Sequence, residues 1–254
     1  EKAHAGEQAD HCALPDTREG WVLANAKVID HHFAATNPSG QTKLVLDITN
    51  IRPKGARIHG FGGTASGPMP LIEMLLDINK LLNARVGQHL TAVDATDIGN
   101  LIGKTVVAGN VRRSAEMSLG SADDDDFITM KQDQKQLYHH RWASNNSVAI
   151  NTQFDAYSPI AHAIAKNGEP GIVNLELSRR FGRIADGENV ENDPDVEGTN
   201  PCGEISLANG EPCNLFEVFP VVAVEQGWKL KQAFTLAARF AKRVTFSHYD
   251  WQVS

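Results

Sequence analysis

The sequence has little of what would place it outside the ordinary globular proteins. Cysteine occurs three times in 254 residues, too few for the disulfide framework that holds a small secreted scaffold together. There is no run of about 18 apolar residues, and no charged-then-apolar opening of the signal-peptide kind. A reducing, cytoplasmic setting without a membrane is therefore expected. Positive charge is scarce as well: a formal charge of -7 argues against a protein that coats nucleic acid, so any bound nucleotide must be met by local groups. Internal repeats and low-complexity linkers are absent. An initiating methionine is also missing, residues 1–10 are polar, and the chain stops just after an amphipathic helix, the pattern expected of an excerpt from a longer protein.

What is present is 41% hydrophobic and 22% charged, enough to bury one large core or two modest ones. Strand and helix signals alternate, which predicts an α/β fold with parallel pairing. Asp16-Thr-Arg-Glu19 has the form of a helix N-terminus with Asp16 as cap, and Trp21, Leu23, Ala24, Val28 and Phe33 supply the stripe behind it. A strand is expected over 43–48. Helices follow over 70–83, with Leu71, Leu75, Ile78 and Leu82 on one face, and over 94–107, with a C-cap at Gly109. The acidic run at 121–126 fits the macrodipole at a helix start better than a hard metal site. Beyond it the pattern predicts a strand up to Ile150, a helix over 160–166 and a strand over 170–175. An irregular stretch over 178–194, a strand-like run over 216–224 and a closing helix over 230–244 complete the chain. In that last helix Leu230, Phe234, Ala237, Phe240, Ala241 and Val244 point inward.

Four places carry possible chemistry. Residues 52–68 hold five glycines, two prolines, three basic residues and His59, a loop that can offer backbone N–H groups and cations to phosphate, or simply run over the surface. Arg112 and Arg113, after Gly109 and Asn110, are placed to reach a phosphate or base, or to be solvated. Asn145, Asn146 and Ser147 sit at a strand end, a common ligand position in α/β sheets. The fourth place is Thr199-Asn-Pro-Cys-Gly-Glu-Ile-Ser-Leu207, with Cys213 eleven positions after Cys202. Here Pro201 and Gly203 shape a tight loop that carries a thiol, an amide and a carboxylate.

Several chemistries suit that thiol. A hydrolase nucleophile wants a histidine base, and none of the ten histidines is suggestively placed. Zinc wants closely spaced Cys and His ligands, which an eleven-residue gap does not supply, so no metal is expected. Inert burial is the commonest fate of a cysteine, yet Asn, Pro, Gly and Glu are poor company for a core position. One-electron chemistry at a thiol beside a carboxylate base remains open.

The wording of the loop, with Cys213-Asn-Leu215, resembles the radical-cysteine finger loop of ribonucleotide reductases. Further segments agree in order: Asp16-Thr-Arg-Glu-Gly-Trp21, Ile51-Arg-Pro-Lys-Gly55 running into Gly60-Phe-Gly-Gly-Thr-Ala-Ser-Gly-Pro68, Leu82-Asn-Ala-Arg-Val-Gly87, Val107-Ala-Gly-Asn-Val-Arg-Arg-Ser-Ala-Glu116 and Arg141-Trp-Ala-Ser-Asn-Asn-Ser147. They are most similar to the adenosylcobalamin-dependent class II enzymes of the monomeric triphosphate type, from about Asp16 onward. The resemblance implies the central part of a ten-stranded α/β barrel with Cys202 on an internal finger loop. It also implies allosteric reduction of ribonucleotides, expected to be triphosphates, for deoxyribonucleotide biosynthesis and DNA replication.

Roles follow from the same resemblance. Cys202 is the thiyl radical that takes the 3′-hydrogen, Glu204 accepts the 3′-OH proton, Asn200 hydrogen-bonds the sugar hydroxyls, and Cys213 is half of the dithiol that ends as a disulfide. Asp16, Arg57, His59, Gly62 and Gly63 belong to the deoxynucleotide effector site. Asn110, Arg112, Arg113, Asn145 and Asn146 belong to the substrate-specificity side. Cys12 is the one partner this chain offers Cys213, at a shorter spacing to Asp16 than the family has; otherwise the partner lies outside. Adenosylcobalamin is the implied cofactor, its binding region largely beyond this chain, with a thioredoxin-type reductant as partner and a monomer as the assembly. The implied organisation is a polar segment over 1–15, effector helices and loops over 16–120, and a catalytic barrel segment over 121–254, inactive by itself. Rivals are the large subunit of a diiron-dependent class I enzyme, a non-catalytic deoxynucleotide-binding fragment and, more distantly, a cysteine hydrolase.

Overall fold

The computed structural model describes residues 9–33, 43–60, 62–111, 113–151, 153–182 and 193–247. The chain divides into two compact units, Glu1–Asn174 and Leu175–Ser254.

The first unit opens on a parallel strand pair, β1 (Ala9–Ala13) and β2 (Lys43–Asp47), with Cys12 opposite Leu46. Residues 9–13 are thus a strand, where the sequence suggests part of a polar segment. Helix α1 (Arg18–Phe33) connects the two strands. Its cap is Thr17, whose Oγ1 accepts the Gly20 N–H at 3.0 Å. Asp16 does not take the cap position expected of it, because its carboxylate is drawn 2.5 Å from Arg52 Nε. Ala24 and Val28 turn inward, whereas Leu23 and Phe33 are exposed, since a helical turn of 3.6 residues carries them off the buried stripe.

Helices α2 (Met69–Ala84) and α3 (Ala92–Val106) lie where the 3.6-residue spacing puts them. Pro70 opens α2, and Thr91 with Asp94 forms a capping box for α3, each satisfying the other's orphan donor. Leu14, Leu71 and Ile78 are fully buried in one core with Ala24, Leu82 and Leu101. Each such aliphatic side chain contributes about 1.5–3 kcal/mol.

A parallel three-stranded sheet completes the unit, in the order β3 (Glu116–Ser121), β4 (Ser144–Ile150), β5 (Gly171–Asn174). The line expected after residue 120 falls inside β3. Short helices α4 (Asp125–Thr129) and α5 (Gln134–His139) and the longer α6 (Tyr157–Asn167) cover the sheet. Asp124 caps α4 by accepting the Phe127 N–H at 2.9 Å, which gives the acidic run its structural role. Phe127, Val148 and Ile160 form a second core.

Between α3 and the sheet the buried layer is polar. Arg141 holds Asp97 through two hydrogen bonds of 2.7 Å, and His140 Nε2 lies 2.8 Å from the same carboxylate, though off the line of a hydrogen bond. Lys131 reaches both Glu169 oxygens and the Ser144 carbonyl.

The second unit begins with α7 (Leu175–Phe181) and then the antiparallel pair β6 (Val196–Thr199) and β7 (Ser206–Ala208). Residues 178–181 are therefore helical, not irregular. The run expected as a strand over 216–224 is extended without a partner up to Phe219 and then helical as α8 (Pro220–Glu225). Pro220 explains the change, since it has no N–H to give a ladder and its fixed φ suits a first helical position. Helix α9 (Leu230–Thr245) forms as expected, but Ala237 is its one buried residue, with Phe234 51% and Phe240 54% exposed. Within its unit the inward face expected of α9 is not covered.

Candidate functional site

The loop with Cys202 is the tip of the β6–β7 hairpin. Thr199 pairs with Ser206, so 200–205 close the turn. Asn200 builds it: its N–H donates to the Ile205 carbonyl, its Oδ1 accepts the Ile205 N–H, and its own carbonyl accepts the Gly203 N–H, each at 3.0 Å. Gly203 sits at φ 83°, a left-handed position that costs a side-chain-bearing residue about 1 kcal/mol. These bonds leave Asn200 3% exposed, while Cys202 and Glu204 at the tip are open to solvent.

The second cysteine returns to the same place. Asn200 Nδ2 lies 3.6 Å from Cys213 Sγ, so one buried amide ties the hairpin tip to Cys213. All three cysteines are free thiols. The arrangement offers an accessible thiol, a nearby carboxylate in the same loop and a second thiol held behind them. The described residues of this unit include no histidine, so they supply no histidine base for a cysteine hydrolase. Among the described residues no group of His, Cys, Asp and Glu could hold a metal ion, and no helix is long and apolar enough to cross a membrane.

In the first unit the structure brings the glycine-rich loop and the Gly109 loop together. Residues 55–60 and 62–65 fold back on each other: Gly55 N–H donates to Ala65 O at 2.9 Å, Ala65 N–H to Ala56 O at 2.8 Å, and Ile58 N–H to Gly63 O at 3.0 Å. Arg57 pairs with Thr64, which leaves His59 and Gly62 at the turn. The Arg52–Asp16 ion pair fastens the start of this loop to the start of α1. Gly63, at φ +81°, lies so close to Val111 that an added Cβ would stand 2.9 Å from its Cγ2, and one on Gly109 would be 3.3 Å from Ser66 Cβ. Asn110 follows Gly109 at φ 58°, a conformation asparagine tolerates better than most residues. Arg113 is exposed, and Arg112 lies outside the described residues.

The two asparagines of β4 divide. Asn145 is exposed. Asn146 is 3% exposed and engaged inward, its N–H on Glu169 Oε1 at 2.9 Å, its Oδ1 accepting from Ser144 and its Nδ2 on Met130 Sδ. Its side chain thus serves the polar core.

Sequence reasoning missed Asp97, His140, Lys131 and Glu169. The bidentate Arg141 partner sits 44 residues away on α3, and no local spacing shows such a pair. The joining role of Asn200 was equally hidden, although its place before Pro201 was the available signal.

The concavities formed by the described residues include two of note. One of about 120 Å³ lies between Glu73, Asp77, Lys104 and Thr105. The other is an open apolar groove of about 470 Å³ beside Phe216, Phe219, Trp228 and Phe240. Cys202 lines neither.

Comparison with known proteins gives these features a context. The family described as "B12-dependent ribonucleotide reductase, insertion domain" matches residues 1–82. An adenosylcobalamin-dependent ribonucleoside-triphosphate reductase of Lacticaseibacillus paracasei is 98% identical over the whole chain, which covers 34% of that protein. The enzyme of the same name from Lactobacillus leichmannii is 72% identical over 95% of the chain and 33% of its own length. A crystal structure of a B12-dependent, class II ribonucleotide reductase superposes with a TM-score of 0.86 at 68% identity, covering 97% of this chain and 34% of that one. The chain spans about a third of the length of the curated relatives it matches. Over its whole length the chain is thus similar in sequence and fold to about a third of the adenosylcobalamin-dependent, class II ribonucleotide reductases.

Proposed function

We propose that this chain is the central portion of an enzyme that reduces ribonucleotides, as triphosphates, to 2′-deoxyribonucleotides by thiyl-radical chemistry under deoxynucleotide control. The observation that carries the reading is the hairpin tip, where Cys202 is exposed beside Glu204 while buried Asn200 joins the tip to Cys213. Cys202, as a thiyl radical, takes the 3′-hydrogen of the ribose. Glu204, two residues on, reaches the neighbouring hydroxyl of the same ring and accepts its proton. The Nδ2 group of Asn200 is the donor for the sugar, and it also fixes Cys213, one of two thiols that give two electrons and two protons and close to a disulfide as the 2′-carbon–oxygen bond breaks and the oxygen leaves as water, the 3′-hydrogen returning from Cys202.

Adenosylcobalamin, the cofactor named for the relatives, supplies the initiating radical in this reading. Cys202 lines neither of the two concavities described, and the larger is an apolar groove of about 470 Å³, within the range of drug-sized pockets and below what a corrin with its nucleotide tail fills. The linings of these two concavities do not fit that group.

The fold of the complete enzyme is a ten-stranded α/β barrel with the hairpin as its internal finger. Asp16, Arg57, His59, Gly62 and Gly63 form the effector side. Asn110, Arg112, Arg113 and Asn145 form the substrate-facing side, with Asn146 behind them as support. The Gly63–Val111 and Gly109–Ser66 contacts give the two loops a shared boundary, which reciprocal coupling between two sites needs. The functional division at residue 120 separates these loops from the segment bearing Cys202. A thioredoxin-type reductant and a monomeric assembly complete the proposal.

The test is the full-length protein with a ribonucleoside triphosphate, a dithiol reductant and adenosylcobalamin. Formation of the deoxynucleotide only when that cofactor is added supports the reading. Activity that instead requires a diiron partner protein, or no activity with tight deoxynucleotide binding, overturns it.

A further inference from the structure

Residues 109–111 and 113–115 lie between α3 and β3, with a close contact at either end. At the start Gly109 lies against Ser66. At the end stands Glu116, the first residue of β3, whose side chain turns back onto α3. A Cβ added to Gly99 would stand 3.2 Å from Glu116 Oε2 and 3.7 Å from Oε1, and one on Gly103 3.8 Å from Oε1. These glycines are four residues apart, about one helical turn, so their missing side chains make the seat the carboxyl occupies. Ser114 Oγ and Ala143 Cβ close the same seat at 3.4 and 3.5 Å from the Gly103 position.

Two further observations mark the contact as more than filling. Glu116 Oε1 is buried without a hydrogen-bond partner, as are both side-chain polar atoms of Asn100 on the same turn of α3. Buried polar groups left in this state call for an explanation. Burial raises the Glu116 carboxyl above its ordinary range, opposed by the more distant charge of Lys131, which favours the neutral form on the helix surface.

We propose that Glu116 is a positioning residue for substrate choice: its carboxyl, seated over Gly99 and Gly103, ties the end of the 109–115 loop to α3. A displacement of Gly63 on effector binding then enters the loop through Val111, and with Glu116 holding the far end on α3 it moves Arg113 against a fixed anchor. The inference rests on reading 109–115 as the substrate-facing specificity loop.

The experiment measures, in the full-length enzyme, the ratio of two ribonucleoside triphosphates reduced in a mixture, with each of two deoxynucleoside triphosphates in turn as effector. Site-to-site coupling of the usual size shifts such a ratio by roughly 5- to 150-fold. Glu116→Gln, which keeps a neutral planar group of the same size, is expected to retain the wild-type shift. Glu116→Ala is expected to bring it within about twofold of the effector-free ratio, with turnover on a single substrate largely kept. Gly99→Ala places a methyl 3.2 Å from Oε2 while favouring the helix, so it displaces the carboxyl even should Glu116→Ala fail to fold; it is expected to weaken the shift.

An unchanged ratio in both Glu116→Ala and Gly99→Ala overturns the inference, as does a uniform loss of turnover with the shift intact, which is the mark of a merely structural residue. Loss of the shift in Glu116→Gln also overturns it. A wild-type enzyme whose ratio ignores the effector refutes the specificity-loop reading itself, so the two failures are distinguishable.

Discussion

Replacing Asp97 with Asn tests how the polar layer between α3 and the three-stranded sheet is held together. The carboxylate accepts two bonds of 2.7 Å from Arg141, with His140 Nε2 at 2.8 Å. Both members of the Arg141–Asp97 pair have side chains only 10% exposed, so solvent screens the interaction little. Asn preserves the shape but leaves the buried guanidinium without a counter-charge, a change that costs about 3–5 kcal/mol in buried pairs. At 1.4 kcal/mol per decade this amounts to roughly two to four orders of magnitude in a local opening constant. The assay is native-state hydrogen exchange on the full-length enzyme, followed at the amides of 141–150, with protection limited above by global stability.

The pH dependence gives an independent check. Burial would raise the Asp97 pKa, but the Arg141 and His140 interactions outweigh it and hold the carboxyl below its ordinary value of 3.8. A depressed acid contributes stability that is fully present above the unfolded pKa and is lost as pH falls through the folded one. Protection of 141–150 is therefore expected to fall below about pH 4 in the wild type and to lack that limb in Asp97→Asn. An increase in exchange of less than tenfold, with the acid limb unchanged, would refute the reasoning.

Three further outcomes follow from the same geometry. Asn200→Ala removes the acceptor of the Ile205 N–H and the contact to Cys213; a local cost of about 1–3 kcal/mol is expected, read as a rise in Cys213 reactivity toward a thiol reagent, and unchanged reactivity contradicts the anchoring role. Glu116 has the opposite sign to Asp97: its pKa is raised by burial, so its contribution is present at low pH and lost as pH rises above the unfolded value. In Glu116→Gln that decline should vanish from the pH–stability curve, and its persistence would show that another group carries it. Cys12 is a half-buried strand residue packed against the Leu14 and Ile78 core, a setting that suits an inert thiol. Cys12→Ser is expected to keep turnover with a dithiol reductant while Cys213→Ser loses it; loss of turnover in both variants would make Cys12 the redox partner.

How much of this was legible in the chain depended on how local the determining physics is. Helices α2 and α3 follow from their apolar spacing alone, and the Asp124 cap from one acidic run at a helix start. Strand β1 was not readable, because Ala9-Asp-His-Cys-Ala13 has no alternation and becomes a strand through pairing with β2, more than thirty residues on. The apolar run before Val224 reads as a strand until Pro220 is weighed as a helix starter. At the candidate site the loop residues stood out because Pro201 and Gly203 bracket a thiol. The contacts of Asn200 with Cys213 and of Glu116 with α3 depend on three-dimensional closure, which residue order does not display.

The central claim is that Cys202 performs the chemistry, and the most direct measurement is turnover of the full-length enzyme carrying Cys202→Ser, with adenosylcobalamin, a dithiol reductant and a ribonucleoside triphosphate. A hydroxyl at this position holds its hydrogen too strongly to serve as the radical carrier, while the hairpin held by Asn200 keeps its shape. Loss of deoxynucleotide formation with effector binding intact is the predicted result, and turnover retained at the wild-type rate would contradict the account.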